Sequence, residues 1–195
     1  MPRGRPRTFD PDKVLDRALK VFWKKGYEGA SLPDLTKAMG INRPSLYAAF
    51  GNKEALFRKA VERYEQGPAG HVREALDLPA ARQVVERLLR GGICVGAGPK
   101  NPRGCLMVQG ALTCGAAAEP ARKELAARRA AGEAALRKRL ERAREEGDLP
   151  RGADPADLAK YVVTVLHGMA VQAAGGASRA ELERVVDTAL RAWPA

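Results

Sequence analysis

Ser31-Leu-Pro-Asp-Leu-Thr-Lys-Ala-Met-Gly40-Ile-Asn-Arg-Pro-Ser-Leu-Tyr-Ala-Ala-Phe50-Gly-Asn-Lys53 is a run of helix starts and stops packed into 23 residues. Ser31 and Asp34 stand in the capping-box relationship with Pro33 inside the first turn, so a helix begins here. Leu35, Ala38 and Met39 give it a buried face, and Gly40 ends it. Only Ile41 separates that glycine from Asn42, a second good N-cap, after which Arg43 to Phe50 reads as a helix of about two turns. Leu46 and Phe50, four apart, face inward. Gly51-Asn52 then breaks the chain and caps a further helix through Lys53, Leu56, Phe57, Ala60, Val61 and Tyr64. Helix, tight glycine-containing turn, helix is the order of a helix-turn-helix, here spanning residues 31–50.

Toward the N-terminus, Asp10-Pro11 is a helix start. Val14, Leu15, Ala18, Leu19 and Phe22 then form one apolar stripe, with Gly26 as the expected C-terminal cap. Toward the C-terminus, Gly67-Pro68-Ala69-Gly70 divides a compact head at 8–67 from the remainder at 71–195, and a basic arm at 1–7 precedes both. The remainder is rich in Ala, Leu, Arg and Glu, which favours helices, predicted at about 77–91, 103–117, 120–147, 154–175 and 178–193. The expected fold is all-α.

The 195 residues carry a net charge of +11, and the first 64 hold 14 Lys and Arg against 7 Asp and Glu. The excess is concentrated in the head, which points to a polyanionic partner. Apolar runs fall short of the ~20 residues a membrane helix needs, and the basic start lacks an apolar region behind it, so no membrane contact and a cytoplasmic location are expected. Cys94, Cys105 and Cys114 are an odd number at no metal-type spacing. Two histidines 96 residues apart, with no nucleophile elbow and no phosphate loop, leave no basis for an enzyme or a cofactor site.

A helix-turn-helix reads DNA by setting the start of its second helix in the major groove. Arg43 and Ser45 suit base edges or phosphates, Pro44 and Ala49 offer small apolar contacts, and Tyr47 can give its hydroxyl to a phosphate. Lys53 falls at a helix start already favourable to phosphate. Ser31 completes the DNA-facing set. In the arm, Arg3 and Arg5 have the Arg-Gly-Arg-Pro context of a minor-groove hook, though a plain basic tail reads the same way.

Ser31 to Phe57 resembles the TetR family of bacterial transcriptional regulators, with a Ser start, the turn Ala38-Met39-Gly40-Ile41 where the family pattern has Ala-x-x-Gly-Val, then Ser-Leu-Tyr-x-x-Phe and Lys-Glu-x-Leu. The resemblance implies phosphate contacts for Tyr47 and Lys53, and base-facing positions for Arg43, Pro44, Ser45 and Ala49. Ala48-Ala49 stands where the family often has His or another larger side chain, so the operator does not follow by analogy. It further implies a homodimer on a pseudo-palindromic double-stranded operator, paired through the last two long helices. Leu158, Val162, Val165, Leu166 and Met169, then Leu182, Val185, Val186, Ala189, Leu190 and Trp193, supply apolar stripes for that pairing, and the same stripes suit an intramolecular core.

The middle helices are implied to enclose a pocket for a small-molecule effector that loosens DNA binding, making the regulator a ligand-responsive repressor. Candidate lining residues are Met107, Gln109, Thr113, Tyr161 and His167, with Cys94 and Gln172. Gly104-Cys105-Leu106 resembles the segment of a TetR subgroup whose cysteine senses electrophiles or oxidants, and Arg103 with an expected helix start would activate the thiol. A small buried hydrophobe is the alternative reading of Cys105.

Overall fold

Asp10 begins the first helix, α1 (Pro11–Gly29), by accepting the backbone N–H of Asp12 at 3.0 Å. In the computed structural model, which describes residues 9–112 and 114–194, α2 (Leu32–Met39), α3 (Arg43–Phe50) and α4 (Lys53–Gln66) follow with the predicted caps. Ser31 Oγ accepts Asp34 N–H at 3.1 Å while the Asp34 carboxylate accepts Ser31 N–H. Asn42 Oδ1 accepts Ser45 N–H at 2.9 Å, and Asn52 Oδ1 accepts Ala55 N–H at 2.8 Å. Gly40 adopts φ +70°, the left-handed conformation that lets α2 stop and turn within two residues.

The second half contains α5 (His71–Leu76), α6 (Ala81–Gly96), α7 (Leu106–Gln109), α8 (Glu119–Glu145), α9 (Pro155–Ala174) and α10 (Arg179–Arg191), with a 3-10 turn at Ala116–Ala118. No strand occurs among the described residues. No helix among them is long and apolar enough to cross a membrane.

Three sequence expectations change. Gly26 does not end α1 outright. It takes φ +70° and kinks the helix, which resumes for Tyr27 to Gly29. The helix expected over 103–117 shrinks to the four residues of α7, and the short α5 was not anticipated. The 103–110 segment is instead folded back by tertiary bonds: Gly104 N–H donates to Gly96 O at 2.9 Å, and Arg103 Nε donates to Ala173 O at 2.8 Å. Cys105 and Cys114 therefore do not share a helix.

Two apolar cores hold the chain together. The first joins Phe22, Trp23, Leu46, Phe57 and Tyr64 of the head with Leu106 and Leu125 from α7 and α8, so the head's core runs on into the second half. The second unites α6, α8, α9 and α10 around Leu89, Leu140, Val162, Val186 and Trp193. Full burial of each such side chain stabilises by about 1.5–3 kcal/mol.

Candidate DNA-binding surface and effector cavity

Leu46 and Phe50 sink into the head's core and fix which side of α3 faces out. Arg43, Pro44, Tyr47 and Ala48 are exposed on that side, at the one- and four-residue spacings of a single helical stripe. Ser45 and Ala49 lie at its edge. Ser45 is half-buried and its N–H is held by Asn42, while Ala49 packs partly against the core. Ser31 is exposed, but its hydroxyl is committed to Asp34, donating to Oδ2 at 2.7 Å. The Lys25 ammonium 2.7 Å from Oδ1, followed by that bond and the Ser31 N–H, holds the Asp34 carboxyl down at about 2. Arg3 and Arg5 lie outside the described residues, as does Thr113.

Lys53 stands beside this face at the start of α4, its Nζ 4.6 Å from the Tyr27 ring centroid. Partial burial on that ring lowers its pKa, opposed by the Glu28 carboxylate. Asn52 caps the N–H of Ala55 at this helix start, and the uncapped N–H groups of the first turn together with the Lys53 ammonium have the chemistry that suits a phosphate.

A cavity of about 400 Å³ opens between α4, α5, α6, α8 and α9. Cys105, Met107 and His167 contribute to its wall. The other expected lining residues that the structure describes do not. Tyr161 and Gln172 are exposed on the outer face of α9, and Cys94 is exposed near Arg179. Gln109 turns inward to bridge backbone, its Nε2 donating to Arg103 O at 3.1 Å. Tyr64, His71, Arg128, Arg129 and Leu166, for which no sequence signal pointed to a pocket, also line the cavity. They come from segments far apart in sequence, and only their later assembly brings them together.

Cys105 sits where the cavity meets the head. Tyr64, almost fully buried, donates its hydroxyl to Cys105 Sγ at 3.1 Å, and burial followed by the neighbouring thiol pushes the phenol pKa well up. The Tyr64 ring packs edge-on to Trp23, centroids 4.8 Å apart, and Trp23 Nε1 donates to Gly104 O at 3.2 Å. Arg103 does not take up the role expected of it beside the thiol. Its guanidinium reaches the carbonyls of Ala173 and Ala177.

The family model of bacterial regulatory proteins of the TetR family matches residues 14–60, and that of the tetracycline repressor-like C-terminal domain matches 82–189. The chain belongs to the TetR family. It is 36% identical to the transcriptional repressor ComR of Escherichia coli, an alignment covering 98% of this chain and 92% of ComR. A cysteine-substituted form of the TetR-family regulator CifR, solved with 26-base-pair operator DNA, is 46% identical. It superposes with a TM-score of 0.93 over 97% of this chain and all of that one. A TetR regulator from Rhodococcus sp. RHA1 is 40% identical, with a TM-score of 0.64 over 93% and 97%. As a TetR-family member the chain is a helix-turn-helix DNA-binding transcriptional regulator, and its α2–α3 pair is that motif.

Proposed function

We propose that this TetR-family protein is a repressor that binds a pseudo-palindromic operator as a homodimer and releases it when a small molecule fills the cavity. The observation that carries the DNA half is the outward stripe of α3, Arg43, Pro44 and Tyr47, flanked by Lys53 at the α4 start. The repressor assignment is supported by the relatives, among them ComR. A single eight-residue helix covers few base pairs, so two copies about one helical turn apart are needed for a selective site. Selection from a random duplex library should enrich an inverted repeat. Enrichment of sequences without two-fold symmetry would overturn the dimeric operator. Deleting residues 1–7, with Arg3 and Arg5, should weaken binding and reduce the salt slope by about 0.9 per lost phosphate contact. An unchanged titration removes the arm from DNA binding.

The exposed outer face of α9 and α10 supports pairing of two copies. The inner stripes expected for it are occupied: Val162, Met169, Leu182, Val186 and Trp193 are buried within the chain. Tyr161, Val171 and Val185 remain exposed, together with Gly168, where an added Cβ would meet nothing within 4 Å.

A second reading makes Cys105 the sensor of an electrophile. Its position on the cavity wall, with the Tyr64 hydroxyl donating to its sulfur, favours this. Iodoacetamide tests it: the Cys105 thiol gives its proton to solvent, its sulfur takes the acetamide carbon as iodide leaves, and operator affinity should fall. Full operator binding by protein shown to be alkylated at Cys105 would refute the thiol switch.

A further inference from the structure

We propose that the cavity takes an apolar molecule ending in a single carboxylate, which pairs side-on with the Arg129 guanidinium while its apolar body lies along the remaining wall. This rests on the effector reading above and specifies its ligand.

Arg128 and Arg129 are neighbours on α8, and both line the cavity. Their charges are met differently. Arg128 is paired with Glu65 of α4 and, at 2.7 Å, with Glu124 one turn back. Arg129 has no carboxylate partner among the described residues, and its Nη1 donates to the Met107 carbonyl. That bond anchors the guanidinium and leaves Nε and Nη2, the adjacent pair whose parallel N–H groups match the two oxygens of a carboxylate. Neither nitrogen has a hydrogen-bond partner among the described residues. Unlike Nε and Nη1 of Arg139, which are sealed in the protein, both keep accessible surface.

The rest of the wall leaves that charge uncompensated. Its carboxylates are Glu65 and Glu133, the first held by Arg128 and the second by Lys160 at 2.6 Å. Arg73, exposed on the same wall, also lacks a carboxylate partner among the described residues, so the charges left over are both positive. His167 reaches the cavity from α9. Burial and then the Arg129 and Lys160 charges lower its pKa against Glu133, so the imidazole is neutral near pH 7 and adds no charge of its own. A guanidinium beside apolar surface is poorly solvated, and an anion brought to it is screened less than in water.

Gly132 lies three residues on from Arg129, on the same side of α8, and lines the cavity as well. A Cβ there would meet nothing within 4 Å, so space is open next to the guanidinium. Elsewhere the wall is apolar, with Val72, Leu76, Leu88, Leu136 and Val162. The volume of about 400 Å³ suits a small organic acid.

Two pairs of probes, each an acid and the neutral amide of the same shape, test this: 4-butylbenzoate with 4-butylbenzamide, and octanoate with octanamide, titrated calorimetrically into the full-length protein. At least one carboxylate should bind roughly tenfold or more tightly than its amide, the worth of a hydrogen-bonded charge pair in a shielded site. Arg129→Gln keeps an N–H for the Met107 carbonyl but removes the charge and the fork. It should abolish the preference and leave amide affinity as in wild type. Gly132→Glu fills open space and sets a carboxylate one turn from Arg129, so it should abolish the preference too, whether or not Arg129→Gln folds. Amides that bind as tightly as their acids, failure of both carboxylates to bind, or a preference that survives in either folded variant overturns the proposal. A carboxylate that binds with the expected preference but leaves the operator complex intact in a mobility assay retains the ligand assignment and overturns the effector reading instead.

Discussion

Lys53 and Tyr27 show how one residue's placement serves two halves of the molecule. The ammonium rests on the Tyr27 ring at the α4 start, and the Tyr27 N–H donates to Gly110 O at 2.7 Å, next to α7. The Lys53 ammonium, proposed above to meet a phosphate, is therefore tied through a single tyrosine to the segment that carries Cys105 and Met107. Lys53→Ala should weaken operator binding across all sequences alike and reduce the salt slope by about 0.9 per half-site. Anisotropy titrations at several salt concentrations check this, and an unchanged slope takes Lys53 off the phosphate. His71 and His167 make a separate prediction. Burial lowers both imidazoles, with Arg87 lowering and Pro68 and Glu74 raising His71, and with Arg129 and Lys160 lowering and Glu133 raising His167. The folded state binds fewer protons than the unfolded one, so this stability is fully present above the ordinary imidazole value of about 6.5 and is lost as pH falls below it. Urea midpoints should hold steady from about pH 8 to 7 and drop by about pH 5.5. The His71→Phe, His167→Phe double variant should show a shallower drop, and an identical one would contradict the burial account.

At the scale of elements, α3 is a short helix fixed at both ends by its neighbours in sequence. Asn42→Ala removes the Ser45 cap and should destabilise the head by about 1 kcal/mol, measured by thermal or urea unfolding. A loss below a few tenths would show that the cap is dispensable. Such local devices explain why α2, α3 and α4 were legible in the sequence: Ser31, Gly40, Asn42 and Asn52 act within four residues of themselves. The 103–117 stretch was not legible, because its conformation is decided by distant groups. Gly104 takes φ +85°, and a Cβ there would meet Gln109 Oε1 at 2.1 Å. Arg103 is drawn to the end of α9. Helix propensity yields to these long-range bonds. The cavity was legible only in part for the same reason, since Met107 and His167 could be named while His71 and Tyr64 acquire their roles through packing between segments.

The same bonds describe a clamp. Trp23 Nε1 on Gly104 O and Tyr27 N–H on Gly110 O grip α7 from both ends, both from α1, the helix against which α4 and α2 pack. Trp23→Phe leaves a buried carbonyl without its donor and should cost about 1–3 kcal/mol. It should also weaken the response of operator binding to a cavity ligand more than it weakens operator binding itself. Parallel losses in both would mean that the clamp is structural and carries no signal.

For the whole molecule, charge and symmetry divide the work. The excess of basic residues in the first third supplies attraction to any duplex, and two heads in a dimer double it. In the proposed operator complex, selectivity then falls to the few side chains on the outward stripe of α3 and to the spacing between two copies. Gly168→Arg on the open face of α9 should leave helix content unchanged but give monomers by light scattering, with operator affinity reduced by more than tenfold. A Gly168→Arg dimer of wild-type strength would place the pairing surface elsewhere.

In the function proposed above, the exposed face of α3 reads DNA from a paired protein whose fold does not depend on that face. Titration of wild type and Tyr47→Ala onto the library-selected operator, followed by anisotropy with stoichiometry, tests it most directly. Two protomers should bind each duplex, with affinity reduced at least tenfold in Tyr47→Ala and with circular dichroism and dimer mass unchanged for the variant. Operator binding by Tyr47→Ala equal to wild type would contradict it.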